Sequence, residues 1–91
     1  MEATQIRPGL WISNYYTSQN HIFILNKNIE IIINCTKTYK NKNFKNIQYV
    51  RVPVLDNKQD DQIILIFKYF DNIVDFIHKN LTKKNILVHC H

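Results

Sequence analysis

The sequence predicts an α/β domain built on a mixed sheet, and three stretches carry that prediction. Ile31-Ile32-Ile33 is β-branched throughout and too short for a helix, so it reads as a buried strand. Between Asp60 or Asp61 and about Asn80 the apolar period changes to 3.6, with Ile63, Phe67, Phe70, Val74 and Ile77 on one stripe, widened by Ile66 and Ile73. Ile86-Leu87-Val88 then reads as a second strand buried on both faces, and it delivers His89 and Cys90. Open α/β sheets place their ligands at the carboxyl ends of such strands.

The remaining elements follow in order. Residues 5–13 form two short extended pieces joined at Pro8-Gly9, a turn in which Pro sets φ and Gly permits a positive φ. Thr17 or Ser18 is read as the N-cap of a short helix to about Lys27, with Ile22 and Leu25 toward the core and Asn28 in the left-handed position after it. The strand over residues 29–35 ends at Cys35, and residues 37–46 are a polar surface connector. Residues 47–54 alternate as a strand. Pro53 cannot donate to a ladder, so that strand belongs at an edge or stops there. Asp56 sits on the loop beyond it, and Asp60 and Asp61 suit the positive start of the long helix.

Composition narrows the function classes. Ninety-one residues with an apolar fraction of 45% make one small domain with a modest core, not a disordered chain. No apolar run approaches the length of a bilayer span, and Met1 to Gln5 lacks the pattern of a signal peptide. Two cysteines without a CxxC pair imply free thiols in a reducing compartment, the cytoplasm. The net charge of +5 suits an anionic partner, but Ile, Asn and Lys fill 37 of the 91 positions, so much of the lysine is compositional bias. Basicity alone gives no ground for a nucleic-acid partner.

With these elements placed, four motifs appear in order. Ile6-Arg7-Pro8-Gly9-Leu10-Trp11-Ile12-Ser13 resembles the opening I-x-P-x-L-[YW]-[IL]-[GS] of the dual-specificity protein phosphatases. Residues 29–36 are similar to that family's strand ending in N-x-[TS], and Tyr49 to Asp56 is similar to its Y-x-x-[IV]-P-[IV]-x-D. Asn85 to Cys90 resembles V-L-V-H-C, the start of the HCxxGxxR signature. The resemblance spans nearly the whole chain, and it implies that residues 1–91 are the N-terminal part of a single catalytic domain of the cysteine-phosphatase fold. The terminal strand would then lie between the strand of Leu10–Ser13 and the strand ending at Cys35. The long helix would cover one face, and the helices that follow the signature, absent from these residues, would cover the other.

The same resemblance implies hydrolysis of phosphotyrosine and phosphoserine/threonine in a phosphoprotein substrate, through a phosphocysteine intermediate and without a cofactor. Cys90 matches the nucleophile. Asp56, 34 residues earlier, matches the general acid that then serves as base. His89 matches the residue that supports the cysteine and its loop. Cys35 ends a central strand and is either a buried core thiol or, as in some relatives of this fold, a redox partner for Cys90. A metal site at His89-Cys90-His91 is not expected, because successive strand residues point to opposite faces.

The signature's loop amides and arginine fall after Cys90, and of that signature these residues supply His89, Cys90 and His91. Arg7 and Arg51 are the two arginines, and neither stands at the motif's position. The 91-residue chain alone is therefore expected to be catalytically silent. An uncovered apolar sheet face would call for a homodimer or a complementing C-terminal segment. The competing reading is a pseudophosphatase scaffold that holds a protein partner without catalysis.

Overall fold

The computed structural model describes residues 3–36, 39–55 and 61–90, with the side chains of 53–70 left aside. Among the described residues eight elements follow one another: β1 (Ala3–Arg7), β2 (Leu10–Ser13), α1 (Tyr15–Ser18), α2 (His21–Asn26), β3 (Ile29–Thr36), β4 (Gln48–Leu55), α3 (Asp61–Leu81) and β5 (Asn85–His89). The five strands make one sheet in the order β1-β2-β5-β3-β4. β1 and β2 are antiparallel, and the other three pairings are parallel, so the sheet is mixed as expected. The last strand inserts between β2 and β3, which places the end of β5 at the centre of the sheet's carboxyl edge.

Local chemistry explains most of these boundaries. Gly9 closes the β1–β2 hairpin at φ +84°, a conformation that favours glycine, and a Cβ there would crowd Asn85 Oδ1 at 3.0 Å. Its carbonyl accepts from the Ile86 N–H at 2.7 Å, fastening the hairpin to the start of β5. Asn28 takes φ 52° and turns the chain from α2 into β3. β4, which carries Pro53, is an edge strand, and its register with β3 shifts between Arg51 and Leu55, the stretch that holds the residue without an N–H.

The first helical region differs from the sequence expectation. Two short helices replace one, and their caps are Asn14 and Asn20 rather than Thr17 or Ser18. The Asn14 side-chain oxygen accepts from the Thr17 N–H at 2.9 Å, and that of Asn20 from the Phe23 N–H at 3.1 Å. Moving the caps rotates the buried face. Phe23 and Ile24 enter the core, and Ile22 and Leu25 stand 70% and 61% exposed. The edge-on contact of Phe23 with Trp11, ring centroids 5.5 Å apart, fixes which side of α2 faces inward.

Strand alternation divides the core in two. Ile31, Ile33, Cys35, Val52 and Ile86 face α3 and pack against Ile73, Phe76, Ile77 and Leu81. Ile29, Ile32 and Leu87 join Phe23 and Ile24 on the other side, with Trp11, Phe44 and Tyr49 around them. The sheet face opposite the long helix is thus covered by α2, contrary to the expectation that it lies open. Some apolar groups on α3's own side are exposed. Ile12, in register with Val88, is 47% exposed, and Val74, expected in the core, is 49% exposed. Phe76 and Leu81 take the inward positions near the end of α3, one position round from the predicted stripe.

Candidate active site

Cys90 follows directly from β5, the central strand. Its N–H reaches the Ser13 carbonyl at 3.4 Å, so the parallel ladder holds it to the last residue. Asn34 on β3 stands in register with His89, which brings Cys35 and Cys90 to neighbouring positions along the two strands. Cys35 faces the α3 side, where it packs with Ile33. Cys35 is buried and Cys90 half-buried. Burial pushes the Cys35 thiol up to about 11, and the neighbouring Cys90 adds to that rise. Cys35 is therefore a neutral thiol at physiological pH.

His89 is buried to 1% exposure, and a network of side chains holds it. The network starts at the Thr36 backbone, whose N–H donates to Asn34 Oδ1 at 2.9 Å; the Thr36 hydroxyl donates to the same oxygen at 2.7 Å. Asn34 Nδ2 donates to Asn41 Oδ1 at 3.1 Å and to the Tyr39 carbonyl at 2.9 Å. Asn41 Nδ2 lies 3.0 Å from His89 Nε2, and His89 Nδ1 lies 2.9 Å from the Cys90 carbonyl oxygen. That oxygen only accepts, so Nδ1 carries the proton. Burial lowers the imidazole's proton affinity; the Cys90 carbonyl opposes that shift, and the charge of Arg51 adds to it.

Around this core the loop from β3 to β4 is tied down. Arg51 donates to the Thr36 carbonyl at 2.6 Å and also to that of Tyr39. Tyr15 donates through its hydroxyl to the Lys40 carbonyl at 2.9 Å, while its ring packs against those of Tyr39 and His89. Arg51 is therefore committed to main-chain carbonyls, in keeping with its exclusion from the signature's arginine role.

Asp56 and His91 lie outside the described residues, and so does Asp60. β4, which leads to Asp56, ends at Leu55 in register with Thr36, at the same edge of the sheet as Cys90. Among the described residues no three His, Cys, Asp or Glu side chains gather as a metal site. A cavity of about 500 Å³ lies between α2 and the loop before β4, lined by His21, Phe44 and Lys45. It opens near Ile29, at the opposite end of β3 from the cysteines, and takes no part in this chemistry.

Sequence reasoning gave no site role to Asn34 or Asn41, and it named Arg51 only to exclude it from the signature's arginine position. Asn34 had a signal: a lone amide inside an isoleucine-rich central strand must be satisfied by something. Asn41 had none, being one of several Asn and Lys residues in a polar connector.

Residues 10–91 match the dual specificity phosphatase catalytic domain. The chain belongs to that family. It is 32% identical over 88 residues to dual specificity protein phosphatase 18 of Mus musculus, covering 96% of this chain and 45% of that protein. To dual specificity protein phosphatase 21 of Homo sapiens it is 30% identical, covering 96% of this chain and 44% of that one. Among solved structures, DUSP15 superposes with a TM-score of 0.80 at 27% identity, over 98% of this chain and 55% of its own. The chain thus spans about half the length of these relatives. Within the dual specificity phosphatase family, the sheet order and the position of the HC dipeptide at the end of the central strand are those expected from the motifs.

Proposed function

We propose that this chain provides the N-terminal part of a dual-specificity phosphatase catalytic domain, with Cys90 as nucleophile, Asp56 as general acid and base, and His89 in support. The observation that carries the reading is the placement of Cys90 at the carboxyl end of the central parallel strand, in a chain of this family. In the first step the Cys90 thiolate forms an S–P bond as the P–O bond to the substrate breaks, and Asp56 gives its proton to the departing oxygen. Water then attacks phosphorus, Asp56 takes the water's proton, and the S–P bond breaks to release inorganic phosphate and the thiolate. The substrates are phosphoproteins bearing phosphotyrosine or phosphoserine/threonine.

Stabilising the phosphoryl charge takes loop amides and a bidentate arginine, which the family's signature supplies after the cysteine. The 91 residues alone are accordingly silent. A mechanism through a free thiolate supports a reducing, cytoplasmic setting. The exposed Ile12 and Val74 support a covering partner on α3's side, either a second copy or a C-terminal segment. Cys35, next to Cys90 in register, supports a redox role as the partner of a reversible disulfide.

The test is hydrolysis of para-nitrophenyl phosphate by a chain that carries the whole HCxxGxxR signature, with Cys90→Ser as the blank. Turnover lost in that variant supports the reading. Phosphopeptide binding without any turnover in the unsubstituted chain would favour the scaffold reading instead.

A further inference from the structure

The network that ends on His89 has a direction, and Asn41 is the point where that direction is set for the imidazole. A backbone N–H can only donate, so the Thr36 N–H fixes which end of the Asn34 amide is oxygen. The other end, Nδ2, must then donate, which assigns Oδ1 of Asn41 as its acceptor. That leaves Asn41 Nδ2 pointing at His89 Nε2, and Nε2 can receive it only as a bare lone pair. The proton of a neutral imidazole is thereby placed on Nδ1, where the Cys90 carbonyl takes it. From one main-chain donor to one main-chain acceptor, each atom's role is determined, and the three strand residues involved are almost fully buried.

We propose that Asn41 is a positioning residue that holds His89 as the Nδ1–H tautomer and, through it, fixes the Cys90 carbonyl and the course of the chain as it leaves β5. The catalytic consequence rests on the phosphatase reading above; the tautomer does not. Main chain beyond Cys90 is where that reading requires amides to converge on phosphate, so a rotated Cys90 peptide misdirects the start of that loop. The Asn41 side chain bonds to Asn34 and His89, so its effect on the nucleophile runs through His89. Asn41 meets His89 across a separation of 48 residues, so the segment that carries Asn41 takes part in setting Cys90. The Tyr39 carbonyl, the Arg51 contacts and the Tyr15 hydroxyl at Lys40 all hold that loop in place.

A single substitution inverts this bond and spares the rest. In Asn41→Asp one carboxylate oxygen still accepts from Asn34 Nδ2, while the other replaces a donor with an acceptor toward His89. The measurement is the ¹⁵N shifts of the His89 ring at neutral pH. Unsubstituted protein should show a protonated Nδ1 and a bare Nε2, and Asn41→Asp should show a proton on Nε2. A proton on Nε2 in unsubstituted protein, or a bare Nε2 in the Asp variant, would overturn the proposal; the first needs no variant to fold. In a chain carrying the whole signature, Asn41→Asp should lower kcat by about tenfold with KM little changed, the low end of what outer partners of a metal-bound histidine cost. Asn41→Gln, which keeps the donor, should recover part of that loss. Unchanged kcat in the Asp variant would overturn the positioning role. An inactive unsubstituted enzyme that shows the expected tautomer would sink the phosphatase reading and leave the Asn41–His89 assignment standing.

Discussion

Asn34 on β3 and His89 on β5 stand opposite each other in the parallel ladder, and both are buried polar residues in the middle of an isoleucine-rich sheet. Each uncompensated amide or imidazole there would cost about 1–3 kcal/mol, so the loop from β3 to β4 folds over them and supplies Asn41. The polar centre and the loop are therefore one cooperative unit. Replacing Asn34 by Leu removes the hub while leaving Thr36 Oγ1 and Asn41 Oδ1 without that partner. Chemical denaturation should show a loss of about 2 kcal/mol, from the range for stranded buried polar groups. A midpoint equal to the unsubstituted protein's would refute the network's structural weight.

The two cysteines give a redox prediction. Neighbouring parallel strands are about 4.8 Å apart, inside the Cα separation of about 7 Å that a disulfide tolerates. Peroxide should oxidise Cys90 to the sulfenic acid, and attack by the Cys35 sulfur should then form the disulfide with release of water. Mass spectrometry should find one intramolecular bridge. Two alkylatable thiols persisting after oxidation would remove the redox role. Without oxidant, Cys35 should alkylate slowly, since its thiol, raised to about 11, holds its proton.

His89 makes stability depend on pH. Its folded-state proton affinity is lowered from the ordinary value of 6.5, by burial above all. Below 6.5 the unfolded chain takes up a proton that the folded one refuses, so stability falls as pH drops through 6.5 toward the lower folded value. Above 6.5 both states are neutral at this residue and its contribution is flat. Denaturation midpoints between pH 5 and 7.5 should show the decline, and His89→Gln should lessen it. An unchanged slope in that variant would assign the decline to other groups.

Gly9 offers a test of the hairpin's fastening to β5. Gly9→Ala places a methyl group at positive φ and 3.0 Å from Asn85 Oδ1, on a side chain whose Nδ2 donates to the Lys27 and Asn28 carbonyls at the end of α2. The cost should be at least about 1 kcal/mol, above the gain from a stiffer unfolded chain. A stabilised variant would contradict the role given to this glycine.

The sequence made the sheet legible where covalent constraints act locally. Pro8-Gly9 marks the hairpin, the isoleucine run marks β3, Pro53 marks an edge strand, and Asn28 marks a left-handed turn. The order of motifs located Cys90 and His89 without any geometry. What was not legible depends on contacts between distant residues. Asn14, Thr17, Ser18 and Asn20 offer rival caps, and Trp11 decides among them by receiving Phe23 rather than Ile22. The covering of the second sheet face followed from the same choice. Asn41 is an ordinary polar loop residue until β5 inserts between β2 and β3 and brings His89 beneath it.

The proposed mechanism gives Asp56 its acid–base half. In a chain with the whole signature, Asp56→Asn should slow phosphopeptide hydrolysis by about 10²–10⁴-fold, the usual share of general acid–base catalysis. The loss should be smaller for para-nitrophenyl phosphate, whose leaving group needs little protonation. Equal rates for variant and unsubstituted enzyme on both substrates would move the role to Asp60 or Asp61.

The central claim is that phosphorus passes through the sulfur of Cys90. Rapid-quench mass spectrometry of the Asp56→Asn enzyme, carrying the complete signature and mixed with para-nitrophenyl phosphate, tests it most directly. A single phosphoryl group on the peptide containing Cys90, absent in the Cys90→Ser counterpart, is the predicted result. Phosphoryl transfer to any other residue, or continued turnover by the Cys90→Ser enzyme, would contradict it.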